Sequence, residues 1–212
     1  MLETFVEDLK GFLMKPADAF KKAKGASLGA AYQYYFVLLI IFTILFGIVT
    51  VSMGIATFTH MVNQIATLPL IGGLLSGVLA KFSAFVVAWE IFTVYLLFLG
   101  MLFSVFLGGL FLHVFVLLVG GEKGVVQTIK TNMYAATPFL LLGWIPYVSI
   151  IGVIWSFVLL ILGLEQTQEL SIGKALMVVL IPVILAIILT AVGAAVIATF
   201  GEALFNLLPG LF

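Results

Sequence analysis

The chain has no cysteine and no arginine, and little charge of either sign. Without cysteine there is no disulfide framework, no thiolate metal site and no cysteine nucleophile. Without arginine it lacks the side chain best suited to clamping a phosphate or carboxylate through two parallel hydrogen bonds. Nine lysines face nine acidic residues in 212 positions, so charged residues make up 8%, against ~25% in an ordinary globular domain. The zero net charge argues against a nucleic-acid partner. What the chain has in excess is apolar: 64% of residues are hydrophobic and the mean hydropathy is +1.36. A soluble domain of this length buries only ~70% of the surface its unfolded chain exposes. Too much apolar surface would remain in water. The composition therefore describes an all-α integral membrane protein. It excludes a soluble enzyme, a secreted disulfide scaffold and a disordered tail.

The gaps between charges set out the spans. The uncharged runs are 25–80, 91–121, 131–164 and 175–201, and a spanning helix needs ~20 apolar residues. The first span is expected at 34–53 and the second at 91–119. Extended back to Phe82, the second would overshoot the hydrocarbon core, so one end should protrude or bend. The third gap is too long for one helix and too short for two with a long loop. Trp144-Ile145-Pro146-Tyr147 divides it into spans at 126–143 and 147–164, because proline cannot continue a helix interior. A fifth span is expected at 176–200. Eight of the nine lysines then fall on one side, with only Lys81 on the other. The lysine rule for cytoplasmic loops puts the N-terminus in the cytoplasm and the C-terminus outside, in a multi-pass protein of the cell membrane. The first thirty residues carry nine charges and no uninterrupted apolar core, so no cleavable signal peptide is expected. No polar linker divides the chain, which reads as a single domain over 1–212.

Two segments outside the spans have a physical signature. Residues 1–30 are read as a cytoplasmic amphipathic region: Leu2, Phe5, Val6, Leu9, Phe12 and Leu13 recur at helical spacing, with acidic residues and Lys10 between them. Such a helix either lies in the headgroup plane or caps the bundle from below. Pro16 suits the first turn of a second short helix. Lys21, Lys22 and Lys24 behind it are placed to meet anionic lipid heads. Residues 57–81 are apolar but broken by Pro69 and Gly72-Gly73, which suggests an interfacial or re-entrant segment after the first span.

Polar groups inside apolar spans are the candidate functional residues. Glu90 stands at the head of the second run, and His113 lies among Leu112, Val114 and Phe115. A lone histidine there either hydrogen-bonds to a neighbouring helix or relays protons. Lys130 and Asn132 open the third span, Tyr134 within it is a further candidate, and Lys130 is expected to snorkel to the cytoplasmic surface. Gly100, Ser104 and Gly108, and the alanines at 191, 194, 195 and 198, form small-residue stripes suited to close helix contact. Two histidines with no neighbouring carboxylate make no metal site, and no phosphate loop or catalytic constellation is present. No cofactor is implied.

Three stretches carry a family resemblance. The first is Leu13-Met14-Lys15-Pro16-Ala17-Asp18-Ala19-Phe20. The second is Gly120-Gly121-Glu122-Lys123-Gly124, followed by Thr128, Lys130 and Tyr134-Ala135-Ala136-Thr137-Pro138. The third is Trp155, Ile161-Leu162-Gly163-Leu164 and Ser171-Ile172-Gly173-Lys174-Ala175. In order and spacing the chain resembles the Yip domain family of Ypt/Rab-interacting membrane proteins, and its prokaryotic-type members in particular. The resemblance implies five helices with a cytoplasmic N-terminus, and it marks Pro16, Phe20, Gly120, Gly121, Gly124, Pro138 and Lys174 as motif residues. Eukaryotic relatives act in vesicle traffic and bind Rab-type GTPases. This chain lacks their Asp-Leu-Tyr-Gly-Pro-like motif and keeps only Pro16. Two functions are expected to compete. One is a non-enzymatic protein that organises partner proteins, homo-oligomers or bilayer shape. The other is a small channel or transporter for an ion, proton or small solute, resting on Glu90 and His113.

Overall fold

In a bilayer only structures that satisfy their own backbone persist, and uncharged runs of this length do so as helices. The computed structural model describes residues 2–207, and the side chains of residues 4–202. The described part is helical almost throughout, with elements α1 (Leu2–Met14), α2 (Pro16–Ala23), α3 (Leu28–Ala66), α4 (Gly72–Ala80), α5 (Ser83–Leu118), α6 (Val125–Ala135), α7 (Thr137–Leu142), α8 (Ser149–Thr167) and α9 (Ile172–Leu207). Among them α3, α5, α8 and α9 are long and apolar enough to cross a membrane.

Several boundaries differ from the sequence expectation, each for a local reason. The first span does not end near Gly54. Helix α3 continues to Ala66, because glycine inside a helix costs only ~1 kcal/mol and nothing from Thr57 to Ala66 forbids helical geometry. The interfacial or re-entrant stretch is therefore shorter than 57–81: turns around Pro69, with Leu70 at a left-handed φ of 68°, followed by the nine-residue α4. The second span begins at Ser83, so Glu90 stands two turns inside it. The expected span at 126–143 is two short helices, α6 and α7, joined at Ala136. The break follows from Pro138, whose ring and missing N–H restrict it to a first helical turn. Helix α8 begins at Ser149 rather than 147, where Tyr147 takes a left-handed φ of 67°. The five uninterrupted spans of the sequence reading are thus four, plus a broken pair.

The lengths give the molecule two tiers. At 1.5 Å per residue α8 is ~28 Å long, whereas α3, α5 and α9 reach ~54–58 Å. Every helix except α4 joins the tier that holds all the lysines but Lys81. Only α3, α5 and α9 continue beyond it, where α4 packs on α3, and side chains there, such as Phe85, Trp89, Ile187 and Ile197, face outward. The small-residue stripes divide in the same way. Gly108 and Gly109 let α6 approach closely: a Cβ on Gly109 would sit 2.8 Å from Ile129. Gly100 and Gly193 have open space beside them, and Ser104 and the alanines of α9 are exposed.

The N-terminal helices are built into the core. The Phe12 ring is 2% exposed, stacks on Tyr134 at 4.5 Å and meets Phe20 edge-on at 5.0 Å. Phe5 and Phe12 both lie against Tyr34, whose hydroxyl hydrogen-bonds with that of Thr137 at 3.1 Å. Lys22 reaches back from α2 to Asp8 of α1 at 3.0 Å. Of the two sequence readings, the described contacts are those of a cap under the bundle. Phe20 is fully buried where α8 offers Gly163. A Cβ at that position would meet the Phe20 ring at 2.8 Å and Thr131 at 2.6 Å.

Substitution Gly163→Val should therefore cost ~1–3 kcal/mol by overpacking, whereas Gly100→Val, with no neighbour within 4 Å, should be close to neutral. Thermal unfolding of the two purified variants in the same detergent measures the difference.

Candidate functional site: a buried polar network at the lysine-bearing end

A helix ends with carbonyls that have no partner inside it, and α2 ends beneath the bundle. Lys130 brings a donor to that end. Its side chain is 3% exposed, and the ammonium donates to the carbonyls of Ala23 at 3.3 Å, Lys24 at 3.0 Å and Ala26 at 2.7 Å. Among the described residues no carboxylate pairs with it. The three donor hydrogens of an ammonium meet three acceptors, and a cation at a helix C-terminus also faces the negative end of the peptide dipoles. The expectation that Lys130 snorkels to the surface is thus corrected. The α2–α3 junction folds over it, so backbone carbonyls take the place of water. Gln127, one turn earlier on α6, adds a bond from Nε2 to the Lys24 carbonyl at 3.1 Å.

A second set of bonds joins α5, α6 and α8. His113 Nδ1 lies 2.9 Å from the Thr128 hydroxyl, which also accepts from Gln168 Nε2 at 2.9 Å. Gln168 is buried; its Nε2 donates to the Gly124 carbonyl at 2.9 Å and its Oε1 accepts from the Lys123 N–H at 3.2 Å. Those two partners settle which end of the amide is which. With Thr128 already accepting from Gln168, its own proton is free to point at His113 Nδ1. The bond then suits a neutral ring that keeps its proton on Nε2. Deeper in the bundle, the hydroxyls of Thr131 and Thr167 pair at 2.6 Å across α6 and α8.

The motif glycines hold the loop that this network grips. Gly120, at a φ of 85°, follows the last turn of α5. Its N–H bonds to Leu117 and that of Gly121 to Val116, at 3.0 and 2.8 Å, which is the paired helix stop that favours glycine. Gly121 is buried against Val116 and Gln168. Gly124 precedes α6 at φ 85°, ψ 159°, a region essentially closed to residues with a side chain. Lys174, exposed at the start of α9, lies over Gly120. Pro16 opens α2, and Pro138 is buried in the first turn of α7.

Outside the membrane-spanning segments, Glu169 ties the loops together. Its carboxylate pairs with Lys123 of the α5–α6 loop and with Lys24 beyond α2. Hydrogen bonds from Lys123 and then Lys24 pull its pKa from 4.5 to about 2. Its φ of 55° is left-handed, and the network holds it there.

The candidate residues do not converge. Tyr134 belongs to the aromatic cluster with Phe12 and Tyr34. His113 belongs to the Thr128–Gln168 network. Glu90 packs on Gly54 of α3, where a Cβ would come within 2.8 Å of its carboxylate, and 23 residues of α5 put it ~34 Å from His113. Lys22 and Lys24, expected to meet lipid heads, are engaged by Asp8 and Glu169, while Lys21 is exposed. Sequence reasoning quoted Thr128 only within a family stretch and missed Gln168 and Glu169. The signal for Thr128 was the run Gln127-Thr128-Ile129-Lys130-Thr131-Asn132, too polar for a lipid-facing helix.

Among the described residues no group of three or more histidine and acidic side chains could hold a metal ion. The family model described as the Yip1 domain matches residues 10–193. No curated protein and no solved structure matches the chain.

Two outcomes follow from this geometry. Lys130→Met leaves the Ala26 carbonyl without its donor, while Ala23 and Lys24 keep the Ala26 N–H and Gln127 Nε2, and should cost ~1–3 kcal/mol. Limited proteolysis should then cut faster between Lys24 and Ser27 than in the parent protein. For Glu169 the folded pKa lies below the unfolded one, so its contribution is complete above pH 4.5 and is lost as the pH falls towards about 2. Thermal stability measured across that window should fall less steeply in Glu169→Gln than in the parent.

Proposed function

The chain belongs to the Yip1 domain family, and from that membership we propose a non-enzymatic, multi-pass membrane protein that organises partner proteins or bilayer shape. The bundle is read as one membrane domain with α6–α7 as its fifth, broken crossing, the N-terminus in the cytoplasm and the C-terminus outside. The observation that carries this reading is the fixing of α2 by Lys130. It makes α1 and α2 a rigid platform rather than a mobile tail. That platform presents exposed Lys10, Lys15 and Lys21 beside exposed Glu7 and Asp18. A surface of mixed charge on a fixed frame suits recognition of a protein or of anionic headgroups. The internal use of the polar groups supports the same reading. His113 and Lys130 are satisfied by neighbouring helices, and Glu90 lies far from both, so no row of polar side chains runs the length of the bundle.

The test separates scaffold from conduit. Proteoliposomes should show ion and proton flux no greater than protein-free vesicles. A Lys15→Glu/Lys21→Glu protein should lose recruitment into anionic membrane tubes or co-purification of its cellular partner, with unchanged thermal stability. Flux above background that His113→Ala abolishes would overturn the proposal.

A further inference from the structure

The break between α6 and α7 leaves a cleft of about 220 Å³ on the flank of the bundle, lined by Asn132, Ala135, Ala136 and Phe139 on one side and by Ser156 and Phe157 on the other. Ser156 lies near the middle of α8, one of the helices long and apolar enough to span. Phe157 and Val153 beside it are exposed on the outer face. The cleft therefore opens sideways, towards lipid, at membrane depth.

Two polar groups in it are only half used. Ser156 Oγ accepts from the Phe139 N–H at 3.1 Å, a donor freed by the start of α7. Its own proton has no acceptor among the described residues, although other helical hydroxyls here bond back to a carbonyl three or four residues earlier. Asn132 gives one Nδ2 hydrogen to the Val105 carbonyl at 2.9 Å. Its Oδ1 accepts nothing among the described residues. The cleft thus offers the Ser156 hydroxyl proton and, from Asn132, an acceptor beside its second N–H, in an apolar wall where an unpaired polar group is costly. No charged side chain lines it, so an ionic head would have no partner.

A hydroxyl is the smallest uncharged group that both gives and takes hydrogen bonds. We propose that this cleft is a binding site for an uncharged membrane lipid carrying a free hydroxyl on an apolar chain. The chemistry is that of a diacylglycerol or an isoprenoid alcohol. At about 220 Å³ the cleft is smaller than a drug-sized pocket of ~300–1,000 Å³. It takes the hydroxyl-bearing end, and the chain runs out along α8. Ala135 and Ala136 leave the room, and the proline-induced break exposes it.

The test uses the full-length protein in nanodiscs with photoactivatable, clickable diacylglycerol and isoprenoid-alcohol probes. Crosslinks should map within residues 132–160. The unlabelled alcohol should compete at least about tenfold better than the same lipid acylated on its hydroxyl, as expected for two hydrogen bonds. A preference for one probe identifies which source supplies the hydroxyl. Ala136→Leu, which fills the cleft and leaves the hydrogen bonds of Ser156 and Asn132 in place, should abolish labelling at unchanged thermal stability. Ser156→Ala should lower labelling, and if that variant fails to fold, competition on the parent protein still decides. Equal competition by the acylated lipid, or crosslinks spread evenly over the lipid-facing helices, would overturn the proposal.

Discussion

Lys130 and the three carbonyls around it form the contact on which this end of the structure rests. A buried ammonium is ordinarily stabilised by a carboxylate, and here the partner is the unfinished end of a short helix. The arrangement serves both partners. The carbonyls of the α2–α3 junction gain a donor, and a lysine drawn into the bundle gains three acceptors. Once the contact is made, α2 cannot leave the bundle. The position of α1 follows, because Phe12 packs on Phe20 and Lys22 holds Asp8.

The surrounding network extends that logic to the loops. Gln168 binds the entrance of α6 at Gly124 and Lys123, and Glu169 beside it binds Lys123 and Lys24. Adjacent residues of one short connection thus secure two others, the α5–α6 loop and the α2–α3 junction. A left-handed turn that favours glycine at Gly120 and a conformation essentially closed to other residues at Gly124 bring the chain close enough to do so. This is a frame with its polar groups turned inward, consistent with a protein whose work is done on its outer surface.

Much of the architecture was legible from where the charges are not. Runs bounded by Lys24, Lys81, Glu122 and Glu165 had to be helices in lipid, and α3, α5, α8 and α9 occupy them. Family membership was legible too, from motif order across residues now matched over 10–193. Helix ends were not. Gly54 resembles a terminator but sits within α3, making room for Glu90. The broken α6–α7 pair was half legible: Pro138 was visible, but Pro146 drew attention as the stronger divider. Lys130 was misread because its acceptors lie 104 to 107 residues away, and no local pattern reveals a partner at that distance. The polar run 127–132 was the available warning. Five polar residues in six belong against protein, not lipid.

The same separation governs how the molecule is made. At ~5–20 residues per second, ~5–20 s pass between synthesis of Ala23 and of Lys130. Throughout that interval α3 can already be inserted while the end of α2 has no permanent partner and is hydrated at the membrane surface. The platform therefore cannot assemble in chain order. It can close only once Lys130 has been made, more than a hundred residues after the junction it binds, and the Glu169 clasp only later still. A chain stopped before α6 would have its first spanning helix in place and no seat for the helices that precede it.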